Sequence, residues 1–523
     1  MLNPVNARDT LAVGRLLEFV APSPPWNRSL WSIGLVLGLR ELHEACTAIR
    51  GGMLSEPSAK QMCTALMRRI GREPALSADE KTFLRLQISS VPRADGPAHF
   101  ALAQMADLIE TDYLNRCAQV TSAANYAVEH FARNVAAHLL DLGFSPKHLH
   151  KLIRAHLGSQ TPVTLADLCE DLHAEVARSP LRAFEVLIAF SKFPKMNQGV
   201  PPEWLKGEAI GNWLASNNFP AGTSLPPVGV LLTVEARDSS AAAQAAREIS
   251  DRFAARARIA TGSQLHRVPW IWVAGDGEPH PLAGESRGVR VKELDRERRI
   301  FSTEAATDSV DAAIELMAHL DESSPPAAIA GGWAAIEGLL ASSPNDRSSA
   351  ADNLAVLVAC SFPRAELTGL CFRAGKEDPS VLAKLETAPT NRDRSKVMAQ
   401  LILTGEPMSL RSAPERAAVE RVSKLLRDPH GELVTIKDTI AEAFHRLYRQ
   451  RNLILHGGRL DSVALKPSLR TVSKLAGAGL DRITHGHYVQ SVLPLELVAR
   501  AELAIALINK ATALTAVDLL ERT

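Results

Sequence analysis

The sequence predicts a mainly α-helical, multidomain protein with a small α/β insert and a helical bundle at its C-terminal end. Three observations carry that expectation. The 523 residues exceed what one hydrophobic core of roughly 100–200 residues organises. Apolar residues recur at helical spacing towards both ends of the chain, as in ALAQMADLIETDYL (101–114) and YAVEHFARNVAAHLLDLG (126–143). Between the two helical parts, proline-rich text and short β-branched runs replace the helical period.

Residues 1–217 form the helical N-terminal region, broken at SPP (23–25), SEPS (55–58) and PRADGP (92–97). The apolar run LWSIGLVLGL (30–39) is too short to span a bilayer and reads as a buried helix. No basic stretch followed by an unbroken apolar run opens the chain, so no secretory leader is expected and the protein is placed in the cytoplasm, away from membranes. In FSPKHLHKLI, Ser145 caps a helix whose first residue is Pro146. The segment 218–302 is the α/β unit: VGVLLTV (228–234), VPWIWVAG (268–275) and RGVRVKEL (287–294) read as strands. A helix over 239–260, with serine at its start, joins them in a βαβ-like layer. From 303 to 523 the helical pattern returns, interrupted at DESSPP, SSPNDRSS and TAPTNRDRS.

Composition narrows the function. A formal net charge of +1 argues against a general basic coat for nucleic acid, so any such contact is local. Six scattered cysteines without a C-x-x-C pair fit reduced core thiols. No H-E-x-x-H, phosphate loop or G-x-S-x-G elbow is present, and HLHKLIRAH (148–156) lacks the spacing of a helical zinc site; no metal or cofactor is expected. Trp26, Trp31, Trp204, Trp213, Trp270 and Trp272 do not alternate with basic residues and read as core.

The stretch FHRLYRQRNLILHGGRL (444–460) holds four arginines, two histidines and no acid. Ala443, Phe444, Leu447 and Ile454 mark one helical face, with Arg449, Arg451 and Asn452 off it, and the glycine pair ends the helix. The spacing R-x(4–6)-H is weak by itself: five arginine–histidine pairs satisfy it, against about four expected by chance. One of the five, FARNVAAHLL (131–140), repeats the RN-x-x-x-H text through Arg133, Asn134 and His138, but with Glu129 nearby and without the glycines it reads as coincidence. Arg482 and His487 lie in LDRITHGHYV (480–489), a stretch that reads as a loop. A solvated surface helix remains the competing interpretation of 444–460.

LYRQRNLILHGG resembles the signature of HEPN domains, in particular the ApeA-like group with its Y-x-x-R-N-x-x-x-H-G form. GGWAAIEGLL (331–340), with Trp333, Ile336, Glu337 and Leu340, is similar to the first long helix of those domains. The resemblance covers about 325–515 and does not reach residues 1–300. It implies a helical, often dimeric, metal-independent endoribonuclease. His456 would be the general acid or base and Arg451 would hold the scissile phosphate. Asn452 would orient the pair, with Glu337, Arg449 and Tyr448 in support. Glu337 could equally pair with Arg449 or Arg451. One histidine per chain cannot act as acid and base at once, so two copies of Arg451 and His456 would form one composite site in a homodimer or higher homo-oligomer.

By analogy with the family, the chain would be a prokaryotic anti-phage, abortive-infection effector acting on RNA. Residues 1–217 would sense a phage-derived trigger and hold two catalytic units out of register until it binds. The alternative is a non-catalytic HEPN-like module that dimerises or binds RNA or a protein partner. A third possibility is a toxin modified near Tyr448.

Overall fold

The structure is a computed structural model of the chain and describes residues 7–121, 126–157, 164–195, 199–220, 225–284, 286–302, 308–343, 346–509 and 515–521. Among these residues, twenty α-helices accompany one five-stranded antiparallel sheet, so the protein is mainly α-helical with a small α/β insert, as the patterning predicts. The chain folds as two compact units. One comprises Met1–Asp141, Ile153–Glu170 and Arg287–Thr523; the other comprises Leu142–Leu152 and Asp171–Ser286.

The smaller unit is built on β1 (Arg182–Phe190), β2 (Leu205–Lys206), β3 (Val228–Ala236), β4 (Arg267–Val273) and β5 (His280–Pro281), in the order β2-β3-β1-β4-β5. β1 is the centre, pairing antiparallel with β3 from Arg182 opposite Ala236 to Phe190 opposite Val228, and with β4 through Ile188 opposite Ile271. Two strands antiparallel to the same neighbour are parallel to each other. The Ser239–Thr261 helix therefore links β3 and β4 as a βαβ unit split by β1. Its cap is Asp238, one residue before the serines, whose carboxylate accepts from Ala241 N at 2.9 Å. Ala242, Ala243 and Ala246 bury against Val186, Ile188 and Ile271.

β1 corrects the expectation that 1–217 is helical throughout. VLIAF (186–190) is buried on both faces, and a central strand of that kind reads as a continuous apolar run that periodicity cannot distinguish from a helix. Conversely, RGVRVKEL forms no strand. The Arg287 guanidinium donates to the carbonyls of Leu320, Asp321 and Ser323, and Val289 N donates to the Asp321 carboxylate, so this backbone is satisfied by a helix end instead of a ladder. THGHY is also helical, inside Leu465–Gln490.

The larger unit is all helical. The run 30–39 is buried as expected, but its helix, Leu35–Arg50, starts only midway through it. In the smaller unit, Ser145 does cap the Pro146–Leu157 helix, accepting from His148 N at 3.1 Å. Among the described residues, Ser349–Glu377 is the one helix long and apolar enough to cross a membrane, and most of it is buried in the helical core against Pro429–Gly457. All six cysteines are free and buried.

The core of this unit also contains an extensive ion network. Arg28 donates to Glu18 at 2.8 Å, to Glu366 at 3.3 Å and to both oxygens of Glu415 at 2.9 and 3.0 Å. Arg15 joins Glu18 and Glu129, and Arg421 joins Glu18 and Glu366. Glu18 and Glu129 belong to the early part of the chain and Glu366 and Glu415 to the late part, so the network fastens the two within one core.

Candidate functional site

The Pro429–Gly457 helix carries the candidate residues. It starts where the Asp428 carboxylate accepts from Gly431 N at 3.1 Å ahead of Pro429. It stops at Gly458, whose φ of 59° is the left-handed conformation that favours glycine, with its N–H donating to Ile454 O at 3.0 Å and Arg459 N to Leu453 O at 3.2 Å. This closure fixes the last turn, on which His456 stands. Ala443, Phe444 and Leu447 are fully buried, and Ile454 packs at the edge of the same core.

Arg451, Asn452 and His456 come together at the exposed end. Arg451 Nη1 donates to Asn452 Oδ1 at 3.0 Å and lies 3.3 Å from His456 Nε2. A guanidinium N–H meets an imidazole nitrogen only as donor, so Nε2 is placed as an acceptor. The imidazole is open to solvent, and the guanidinium and amide are half-buried beneath it. Such a trio can hold an anionic oxygen with the planar fork while a neighbouring nitrogen takes or gives a proton.

The supporting residues fall elsewhere. Tyr448 packs its ring against Trp333, centroids 4.9 Å apart, and Trp333 Nε1 donates to Glu337 at 2.6 Å. The other oxygen of Glu337 meets Arg347 Nε at 3.3 Å. Glu337 thus pairs with Arg347 and with neither Arg449 nor Arg451. Its helix, Pro325–Leu340, braces the back of the site helix through Trp333. Arg449 is corrected as well: it is buried with Arg446, and both donate to Glu41, Arg446 Nε at 3.0 Å and Arg449 Nη2 at 2.8 Å. Burial alone would raise the Glu41 carboxyl, but the two guanidiniums hold it down to about 2. Arg449 is lowered as well, first by burial and then by repulsion from Arg446, which together outweigh the attraction of Glu41.

The other sequence candidates are accounted for by local partners. Arg133 pairs with Glu129 at 2.8 Å, Asn134 donates to Glu73 at 2.7 Å, and His138 is buried against the Tyr113 ring. His485 meets Glu293 at 2.7 Å, His487 meets Asp308 at 3.0 Å and Tyr488 donates to Asp311 at 2.6 Å. His148 meets Glu175 at 3.0 Å. Among the described residues no group of three or more His, Cys, Asp or Glu side chains is placed to hold a metal ion.

Glu41, Glu44 and Met53 escape the sequence reading. Glu44 accepts from Arg459 at 3.0 Å and from Ser462 at 2.7 Å, and Met53 packs on Gly457. Their one sequence signal is that Glu41 and Glu44 are three apart on a helix, hence on one face. No protein-family model matches the chain, and neither does any curated protein or solved structure.

Proposed function

We propose that the chain is a metal-independent endoribonuclease of the HEPN type, with Arg451, Asn452 and His456 as its reacting groups. The observation that supports this reading is the approach of Arg451 Nη1 to His456 Nε2, 3.3 Å, on a solvent-open helix end. The segment resembling the first HEPN helix packs directly behind it through Trp333 and Tyr448.

In this mechanism the RNA 2′-hydroxyl is the nucleophile. One imidazole takes its proton as the O2′–P bond forms and the P–O5′ bond breaks; a second imidazole gives a proton to the departing O5′. The products are a 2′,3′-cyclic phosphate and a 5′-hydroxyl. Arg451 neutralises the non-bridging oxygens as charge builds on the phosphorane. Two imidazoles require two copies of the chain around one phosphate. Leu455 and Leu460, 53% and 57% exposed beside His456, are apolar surface suited to such pairing. The role as a cytoplasmic anti-phage effector released by a phage-derived trigger rests on the family resemblance.

The test uses the full chain and a labelled RNA. His456→Ala should lower the cleavage rate by about 10²–10⁴-fold with the helical melt unchanged. Cleavage at the wild-type rate by that variant, or no cleavage by the wild type under any triggering lysate, would leave the non-catalytic dimerisation or binding module as the function.

A further inference from the structure

We infer that the Leu35–Arg50 helix supplies a positioning residue, Glu41, to the Arg451–His456 site, an assignment that rests on the nuclease reading. Arg446, Arg449 and His456 follow one another at intervals of three and seven on one helix and therefore share a face. Upstream on that face, Glu41 grips Arg446 Nε at 3.0 Å and Arg449 Nη2 at 2.8 Å, with all three side chains buried. Downstream, Glu44 on the same helix holds Arg459 at 3.0 Å and Ser462 at 2.7 Å, just beyond the glycine turn. Met53, in the turn that follows, lies so close to Gly457 that a Cβ there would collide with its sulfur.

The turn bearing His456 is thus clasped on both sides by one short stretch of chain, residues 41–53. Arg451 and His456 meet through side chains that are half-buried and exposed, so their relative placement is set by the backbone beneath them. A shift of about 1 Å at a reacting group can lower a rate about 100-fold. Glu41 touches no reacting atom. It fixes the rotation of the helix, and it engages Arg446 and Arg449 so that Arg451 is the guanidinium left for phosphate. The N-terminal region is in this sense a structural half of the site as well as any sensor it contains.

The experiment compares full-length wild type, Glu41→Gln and Glu41→Asp on a fluorogenic RNA, with a thermal melt of each. Positioning predicts a fall in kcat of about 10-fold or more for E41Q with KM within about twofold, and partial recovery in E41D, which keeps the charge on a shorter arm. An E41Q protein that folds and keeps kcat within about twofold overturns the inference. Should E41Q fail to fold, Glu44→Gln takes its place: a fall of about threefold in kcat is expected, and an unchanged kcat overturns the inference. Should the wild type cut no RNA, the nuclease reading falls separately, and the clasp is then decided by NMR of carbon-13-labelled histidine. E41Q moves the His456 imidazole resonance, assigned with His456→Ala, if Glu41 positions it; an unmoved resonance overturns the inference.

Discussion

The helical unit contains two buried ion networks that differ in balance. Around Arg28, four arginines (Arg15, Arg28, Arg133 and Arg421) meet four glutamates (Glu18, Glu129, Glu366 and Glu415), and a fifth, part-exposed arginine, Arg373, joins Glu415 at 2.6 Å. Burial would lower Arg28, but Glu366, Glu415 and Glu18 outweigh it and its guanidinium is raised; the same balance raises Arg421. Around Glu41, two arginines share one carboxylate, and Arg446 Nη1 is buried with no acceptor. Matched charge in a dry interior behaves as a rivet. Two guanidiniums on one carboxylate, beside a cleft lined by Gln61, Arg68 and Asp438, make a joint in which one cation is less fully paired.

The largest effect should come from breaking the balanced network. Arg28→Met removes the guanidinium that joins Glu18, Glu366 and Glu415, leaving Glu366 to Arg421 and Glu415 to Arg373, and should cost about 3–5 kcal/mol of unfolding free energy in urea titrations. A smaller effect separates carboxylates by their company. Glu73 is fully buried, with Tyr113 at 3.2 Å and Asn134 at 2.7 Å donating to it and Arg69 and Lys81 acting through charge alone; burial outweighs them and pushes it from 4.5 up to about 7. Its folded value lies above its unfolded one, so its contribution is complete below pH 4.5 and is lost as pH rises through 7. Relative to Glu73→Gln, the wild type should lose about 3 kcal/mol between those limits. Glu41 has the reverse sign: its contribution is present above pH 4.5 and disappears as pH falls towards 2. The smallest change is expected at the unbalanced joint. Arg449→Met leaves Glu41 with Arg446 in a one-to-one pair and should alter stability by no more than about 1 kcal/mol in the same titration. A cost equal to that of Arg28→Met would erase the distinction.

Much of the site was legible in one helix. The acid-free window, the apolar face through Phe444 and Leu447, and the glycine stop are local signals, and the approach of Arg451 to His456 follows from their spacing at a helix end. The surroundings were not legible, because their partners are remote. Nothing near Arg449 announces that it faces Glu41, 408 residues earlier, and without that carboxylate a run of arginines reads as solvated surface. The all-helical reading of 1–217 failed at β1 for a related reason. VLIAF owes its state to β3 and β4, which bury both its faces, and its own period is neutral between helix and strand.

The separation between Glu41 and its arginines also governs how the protein is made. The acid emerges from the ribosome early, and its counterions follow some four hundred residues later. Until then the Leu35–Arg50 helix has no cation from 446 or 449 to cover it, and closing so long a loop is slow compared with forming local helices. The apparatus around His456 is consequently completed only once residues 446 and 449 have been made and have reached Glu41.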